Sequence, residues 1–299
     1  MPACGACASG LLDRVLELKD HEGRPAWLGR CPGCGLVQAA ERPSNEELER
    51  YYSRYCYARD SAWIISEATL ASLDRVAALL RPFRVSNRCL DVGCGAGAFL
   101  TALSRDGWKA EGTELSGVAA DRLLGQGFRI HRGAIEDLDL PRDCYDVAVM
   151  SEVLEHLRDP RAALEKIAVS LRRGGVVYLT TPNYGALSRH LLQDRWRIVG
   201  IPEHLFYFSA RSLGALLKAV GLRPLRLWTE GLNPYELRAC WRDRTREVHS
   251  VVEEAQAEGE ALRLAALRRP WIGALKGVVN FGLRATGLGD TLKGIAERA

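Results

Sequence analysis

The chain has 299 residues, of which 47% are hydrophobic, and it carries a formal net charge of +4. This length and composition allow one large domain with attachments or two modest domains, each with a buried core. The charge is too small to indicate nucleic-acid binding by itself. The first residues contain neither a basic region nor an apolar run, so we expect no secretory signal and a cytoplasmic location. The longest mostly apolar stretch, Trp271 to Leu283, contains Lys276 and is too short to span a bilayer.

Four of the nine cysteines form two C-x-x-C pairs near the start of the chain, at Cys4, Cys7, Cys31 and Cys34. Two such pairs at this separation are typical of a zinc ribbon, in which four thiolates complete the coordination of a structural ion. We therefore predict a zinc ribbon over residues 1–40. The other cysteines are scattered, mostly beside apolar residues, which indicates a reducing compartment.

Residues 41–87 read as a helical connector. Ser44 and Glu47 have the spacing of a capping box, which predicts a helix through about Tyr55, and a second helical pattern covers Ser66 to Leu80. A tyrosine cluster lies at the end of the first helix, at Tyr51, Tyr52, Tyr55 and Tyr57. We expect it to dock the ribbon onto its neighbour, and closure over a ligand is the alternative.

From Arg88 onward, short apolar runs alternate with amphipathic segments. This pattern predicts an α/β fold, a doubly wound Rossmann-like sheet of seven strands over residues 88–299. The predicted strands are 88–92, 108–114, 128–132, 145–150, 175–181, 222–229 and 290–297, and the predicted helices are 97–106, 116–125, 160–172 and 209–220. A helical insertion covers about 236–288. We expect it to serve as a lid or a dimer contact. The alternative is a segment that lies on a membrane or covers an apolar acceptor.

The segment LDVGCGAG, residues 90–97, places a glycine-rich turn between a strand and a helix. Its glycines would also suit a dinucleotide. Asp91, however, would repel a pyrophosphate and attract a cationic ligand. The interaction energy of such a charge pair is about 4 kcal/mol at ~4 Å and an effective dielectric of ~20. Glu114 ends the next strand, where a carboxylate accepts hydrogen bonds from ribose hydroxyls, and the apolar pair Ala134 and Ile135 follows the third strand, where it could enclose adenine. The candidate cofactor-binding residues are Asp91, Gly93, Cys94, Gly95, Glu114, Leu115, Ala134, Ile135 and Ser151.

These segments, together with YDVAVMSEVLEHL, resemble in order the motifs of class I S-adenosylmethionine-dependent methyltransferases. The resemblance runs over about 88–235 and resumes at 290–297, where it implies a final antiparallel strand. It implies S-adenosylmethionine (SAM) as the cofactor. The ribbon and the segment after it resemble the N-terminal part of bacterial zinc-ribbon methyltransferases, including sugar C-methyltransferases, although their large C-terminal domain is not found here.

The segment SEVLEH supplies Glu152, Glu155 and His156, which would share one face of a helical turn, and PEHLFYFS supplies His204. The SEVLEH segment resembles the ubiquinone-pathway O-methyltransferases and the small-RNA 2′-O-methyltransferases. In those families, such a cluster binds Mg²⁺. These four candidate catalytic residues leave three interpretations open: a metal site, a direct acid–base or orienting role, and structural packing.

We predict methyl transfer from SAM to a small-molecule oxygen, on a glycan, a sugar nucleotide or a secondary metabolite. Sugar C-methylation, RNA 2′-O-methylation and a non-catalytic zinc-ribbon binding role remain alternatives, and the oligomeric state stays open. A basic cluster follows the fifth predicted strand, at Arg189, His190, Arg195 and Arg197. It could receive a phosphate or carboxylate of the acceptor, or it could form a solvated face.

Overall fold

The computed structural model of the protein describes residues 3–10, 12–53, 63–193, 196, 198–232, 234, 237 and 269–299. Two sheets organise these residues: a small antiparallel sheet that contains the N-terminal strands and a large mixed sheet of seven strands. The small sheet has the order β1-β2-β3-β9 and consists of β1 (Asp13–Lys19), β2 (Pro25–Arg30), β3 (Val37–Ala39) and β9 (Phe206–Tyr207). Its fourth strand therefore comes from a distant part of the chain.

Two helices connect the sheets: α1 (Asn45–Tyr51) and α2 (Glu67–Leu80). Ser44 and Glu47 form the expected capping box, in which the Ser44 hydroxyl accepts from the Glu47 backbone N–H and the Glu47 carboxylate accepts from the Ser44 N–H. Ser66 caps α2 in the same way through the Thr69 N–H. The start of both helices thus follows from local sequence.

The large sheet has the order β10-β11-β8-β7-β4-β5-β6, which confirms the predicted α/β fold with seven strands. The strands are β4 (Arg88–Val92), β5 (Lys109–Glu114), β6 (Arg129–Arg132), β7 (Tyr145–Ser151), β8 (Leu171–Pro182), β10 (Leu222–Glu230) and β11 (Thr291–Arg298). Strands β4 to β8 run parallel, whereas β11 is antiparallel to both of its neighbours. The chain order reverses between β4 and β7, and ligands bind at the carboxyl ends of strands beside such a switch point.

Helices on both faces of this sheet bury its apolar side chains. They are α3 (Ala98–Arg105), α4 (Gly117–Gly125), α5 (Pro160–Ser170), α6 (Leu187–Leu192), α7 (Ala210–Ala219) and α8 (Pro270–Thr286). One core cluster extends from the large sheet into the small one, since it includes Leu90 and Tyr145 together with Leu36 and Phe206. The two sheets therefore share a hydrophobic core.

Most of the predicted insertion, from 238 to 268, lies outside the described residues. Its last part forms α8, where Trp271, Leu275 and Phe281 are exposed and Leu283 is buried. Within the described ranges, no helix combines the length and the apolar character that crossing a bilayer requires. The roles weighed for the insertion stay predictions.

Candidate active site

The glycine turn after β4 is held by hydrogen bonds from the neighbouring strand β5. Gly93 donates its N–H to the Thr113 hydroxyl at 3.2 Å, and Gly95 donates to the Glu114 carboxylate at 2.8 Å. The same carboxylate accepts from the Ser116 N–H at 2.8 Å, at the start of α4. Gly93 has φ of +64°, and a Cβ there would lie 2.8 Å from the Val153 side chain. Glycine is therefore required by both backbone conformation and space.

A cavity of about 250 Å³ opens at the carboxyl ends of β4, β5 and β7, next to this turn. Five of the predicted cofactor-binding residues line it: Gly93, Glu114, Leu115, Ala134 and Ile135. The outer wall comes from α1, which contributes Asn45, Leu48 and Tyr52. The arrangement combines apolar walls with the Glu114 carboxylate at the end of β5.

Asp91 lies beneath the cavity and is 3% exposed. Its Oδ2 atom has no hydrogen-bond partner, although the Leu100 backbone N–H interacts with the carboxyl group. Burial, and to a smaller degree the negative charge of Glu114, raise the pKa of Asp91 well above its usual range. Because the raised pKa favours the neutral acid, the Asp91 carboxyl would carry its negative charge when a cationic ligand lies nearby, and its role in cofactor binding stays a prediction.

Cys94 and Ser151 do not line the cavity. Cys94 is buried, and its backbone N–H donates to the Thr113 carbonyl at 3.0 Å. Ser151 ends β7, where its hydroxyl lies 3.3 Å from that of Thr180. In these positions, both side chains support the turn and the strand ends, and a direct contact with a cofactor stays a prediction.

Glu155, His156 and His204 bring their ligand atoms within 4.8 Å of one another at the edge of the cavity. His156 donates its Nδ1 hydrogen to the Glu203 carbonyl at 2.5 Å, and His204 donates its Nδ1 hydrogen to the Ile198 carbonyl at 2.5 Å. A carbonyl oxygen only accepts, so Nδ1 carries a hydrogen in both rings, and a ring in its neutral form has its lone pair on Nε2. Burial, together with the charge of His204, lowers the pKa of His156 to about 3, which keeps that ring neutral.

Glu155 is 1% exposed, and neither of its carboxylate oxygens forms a hydrogen bond of good geometry, although the Thr181 and Glu152 side chains lie close enough to influence its charge. Burial and the neighbouring Glu152 carboxylate raise the pKa of Glu155 well above its usual range. A buried carboxylate without partners is costly, and a cation would offset that cost. The group therefore has the donor set and the charge to hold a divalent cation.

Glu152 lines the same cavity and interacts with Glu155, although its own carboxylate is not one of the three converging ligand groups. Its Oε1 accepts from the Thr180 hydroxyl at 2.6 Å, and desolvation by the cavity walls raises its pKa. The segment 154–156 is a turn rather than a helical face, and Glu152 has φ of +54°. The expected i, i+3, i+4 alignment is therefore absent, and proximity arises because the turn doubles back onto β8.

Residues 64–227, more than half of the chain, match a family model described as a methyltransferase domain. The chain belongs to this methyltransferase-domain family. Its relatives include a ubiquinone biosynthesis O-methyltransferase from Aeromonas salmonicida, 36% identical over 32% of this chain and 43% of the relative. A protein of the same name from Bradyrhizobium is 32% identical over 44% of this chain and 50% of the relative. The methyltransferase spans about half the length of these relatives.

Solved structures share the fold of this methyltransferase at low sequence identity. A SAM-dependent methyltransferase from Thermotoga maritima has a TM-score of 0.50 at 17% identity, over 85% of this chain and 96% of that one. A geranyl diphosphate methyltransferase in complex with SAM has a TM-score of 0.50 at 21% identity, over 77% of this chain and 85% of that one. Likeness at these identities concerns the fold alone.

The four N-terminal cysteines of the methyltransferase come together as predicted. The Sγ atoms of Cys4 and Cys34 lie 3.5 Å apart, as do those of Cys7 and Cys31, and all four lie within 4.8 Å of one another. These distances exceed a disulfide bond and approach the ~3.8 Å edge of a tetrahedron with Zn–S bonds of ~2.3 Å. The cluster therefore fits a zinc ion.

Sequence reasoning missed several contacts that shape the site. Asn45 and Leu48 line the cavity and are three residues apart in α1. This spacing is common in helices and does not by itself indicate a ligand site. The carbonyls of Ile198 and Glu203 orient the two histidines and have no sequence signature. Four residues of the tyrosine and basic clusters lie outside the described residues: Tyr55, Tyr57, Arg195 and Arg197.

Proposed function

We propose that the protein transfers the methyl group of SAM to a hydroxyl oxygen of a small-molecule acceptor, with a divalent cation beside the cofactor cavity. The observation that carries this proposal is the convergence of Glu155, His156 and His204 at the edge of that cavity, with both Nδ1 atoms held by backbone carbonyls and the His156 Nε2 atom 3.8 Å from Glu155 Oε1. A further support is the printed function of the relatives, which are named O-methyltransferases.

For the cofactor, Glu114 is the residue that accepts hydrogen bonds from the ribose hydroxyls, because it lines the cavity. Leu115, Ala134 and Ile135 enclose the adenine ring with apolar surface. The turn from Gly93 to Gly95 passes close to the amino-acid part of SAM, whose cationic groups would favour the ionised form of buried Asp91, since the pKa of Asp91 is raised in their absence. SAM supplies an electrophilic methyl group that leaves its sulfur when a nucleophile attacks in line.

For the cation, Glu155, His156 and His204 would be the protein ligands, with Glu152 near enough to reach a fourth position through a water. Two imidazoles with carboxylates favour an ion such as Mn²⁺ over Mg²⁺, which prefers oxygen ligands alone. Such an ion lowers the pKa of a hydroxyl that it coordinates. The two backbone carbonyls fix the imidazole rings, as hydrogen-bond partners of metal-bound histidines generally do.

An acceptor hydroxyl must lose its proton during transfer, and the site contains groups for that task. His156 is neutral above a pH of about 3 because of its lowered pKa, so its lone pair is available to an acceptor hydroxyl when no cation is bound, but so low a pKa makes it a weak base. Raised pKa values keep Glu152 and Glu155 protonated more readily than surface carboxyls in the absence of a cation. Acid–base action by His156 is thus the alternative to cation assistance at the same position.

We further propose a structural zinc ion at Cys4, Cys7, Cys31 and Cys34, in a ribbon over 1–40 followed by the connector 41–87 and the catalytic domain 88–299. Four thiolates leave no open coordination position, so this ion would stabilise the fold and take no part in the chemistry.

The test is methyl transfer from isotope-labelled SAM to a panel of phenols, catechols and free sugars, with mass spectrometry of the products. We expect an O-methyl product whose formation falls at least ten-fold after chelation and returns with Mn²⁺ or Mg²⁺ but not with Zn²⁺ alone. This last comparison separates the cavity site from the cysteine site. Unchanged turnover in protein shown to be free of Mn²⁺ and Mg²⁺ would contradict the cation and leave His156 as the base, and label on carbon would contradict the oxygen acceptor.

A matched pair of variants makes the result specific. Glu155→Gln removes the buried charge that attracts the cation but preserves the shape of the side chain. Glu165→Gln makes the same chemical change at an exposed position on α5. We expect only the first variant to lose the response to added Mn²⁺.

A further inference from the structure

The N-terminal cysteine cluster and the candidate cation site are connected by one short strand. Strand β9 pairs with β3 of the small sheet, with Gln38 opposite Phe206 and Val37 opposite Tyr207. His204 lies two residues before β9, and the intervening Leu205 carbonyl accepts from the Ala39 N–H at 2.8 Å. The backbone that holds His204 is therefore anchored to the cysteine-bearing sheet.

The same segment is anchored on its other side to Glu155. The Glu155 carbonyl accepts from the Leu205 N–H at 2.8 Å and from the Phe206 N–H at 3.1 Å. The Glu203 carbonyl, one residue before His204, accepts the Nδ1 hydrogen of His156. A displacement of residues 203–206 would therefore move His204 and release the orienting partner of His156 at once.

The first cysteine knuckle contacts this segment directly. Gly5 lies between Cys4 and Cys7, and a Cβ at that position would be 2.6 Å from the Phe206 ring, so the knuckle backbone packs closely on the aromatic side chain. The Gly5 N–H donates to the buried Gln38 side chain at 2.8 Å, and Gln38 in turn donates to the Ala3 carbonyl at 3.2 Å. Phe206 is 1% exposed.

A knuckle of this kind has little hydrophobic core of its own and depends on its metal to hold a fixed conformation. Loss of the ion would release Gly5 from Gln38 and from Phe206. Strand β3 would stay hydrogen-bonded to β9, but it would no longer be held in place by the cysteine knuckle. The backbone of His204 would then lose its fixed position.

We propose that the four-cysteine zinc site positions His204 and His156 through Gln38, Phe206 and strand β9, so that zinc occupancy controls the geometry of the candidate cation site. This inference rests on the proposed function for the meaning of that geometry, but the geometry itself is measurable separately. Gln38 and Phe206 are positioning residues in this scheme, since neither lines the cofactor cavity.

The test uses full-length protein labelled with ¹⁵N-histidine, compared with zinc bound and after zinc removal, with ring-nitrogen signals recorded for His156 and His204. We expect both Nδ1 signals to shift or broaden without zinc, Mn²⁺ affinity measured by electron paramagnetic resonance to fall at least ten-fold, and the SAM dissociation constant to change less than two-fold. Unchanged histidine signals in zinc-free protein that still binds SAM would overturn the proposal, as would purified, folded protein that contains no zinc.

A second variant decides the matter if zinc removal unfolds the whole chain. Gln38→Ala keeps all four cysteines and removes the buried bridge between Gly5 and Ala3. We expect it to retain one zinc ion per chain and to show the same histidine shifts. Arg211→Ala is the matched control because Arg211 contacts the second knuckle at the Gly33 carbonyl, 3.1 Å away, without using β9. Equal histidine signals in Gln38→Ala and Arg211→Ala would contradict the route through Gln38.

The Mn²⁺ measurement on unmodified protein distinguishes the two proposals. If zinc-loaded protein binds no Mn²⁺, the cation in the proposed function is wrong, and the histidine signals still report whether zinc sets the positions of the two rings.

Discussion

The rings of His156 and His204 lie with their centroids 4.7 Å apart, and each ring is oriented by a different backbone carbonyl. This pairing predicts that both histidines are needed for turnover and that neither is needed for cofactor binding. We expect His204→Ala to lower kcat about 10²- to 10⁴-fold, the range for loss of an acid–base or metal-orienting group, with SAM affinity changed less than two-fold in calorimetry. The control is His131→Ala, which changes a histidine on β6 that pairs with Glu111 and does not line the cavity. A parallel loss of SAM binding in His204→Ala would indicate a role in folding instead.

Glu114 predicts the opposite split between binding and turnover. Its carboxylate accepts from the Gly95 and Ser116 N–H groups and opens onto the cavity, so its loss affects both the glycine turn and the ligand. We expect Glu114→Ala to weaken SAM binding by 10- to 100-fold, which corresponds to about 1.4 to 2.8 kcal/mol. Glu114→Gln retains one acceptor oxygen, and we expect a smaller loss. Calorimetric titration of SAM measures both values, and wild-type affinity in Glu114→Ala would remove the residue from the cofactor site.

The central part of the fold could be predicted because its signals are local. The strand before the glycine turn is apolar, the turn itself needs residues with positive φ such as Gly93, and the capping box at Ser44 fixes the start of α1. The cysteine pairs carry their spacing in the sequence, and the structure brings them together.

The remaining features depend on pairs of residues that are far apart in the chain. Strand β9 has only two residues, and it forms because Gln38 lies opposite Phe206, a relationship that no local pattern contains. The positive φ of Glu152 and the burial of Asp91 follow from how β7 and β4 end against their neighbours. Residue type and spacing thus indicated which groups belong to the site, but tertiary packing decided which of them face the cavity.

Gly93 makes a prediction about stability. An added Cβ would meet the Val153 side chain at 2.8 Å, and alanine is disfavoured at φ of +64°. We expect Gly93→Ala to lower the free energy of unfolding by about 2 to 4 kcal/mol, since the backbone conformation and the overlap each cost roughly 1 to 2 kcal/mol. Urea denaturation measures this change. Adding Val153→Ala should recover the overlap part only, and Gly125→Ala in α4, where a Cβ has open space, should be neutral or slightly stabilising. Full recovery in the double variant would show that backbone conformation contributes nothing.

Glu230 predicts how stability depends on pH at the antiparallel edge of the large sheet. Burial by itself raises the pKa of this carboxyl, but Lys293 and Arg284 outweigh that effect and hold the pKa at about 2. The folded pKa lies below the unfolded value, so the contribution to the free energy of unfolding is present above a pH of about 4.5 and is lost as the pH falls towards 2.

We expect Glu230→Gln to be less stable than the wild type by roughly 1 to 3 kcal/mol at pH 7, with most of the difference gone at pH 3. Urea unfolding at both pH values tests this. Glu297→Gln on the neighbouring strand β11, where the partner is the exposed Arg223, should change stability by less than about 1 kcal/mol. A Glu230→Gln difference that stays constant from pH 7 to pH 3 would show that packing, rather than the ion pairs, accounts for the effect.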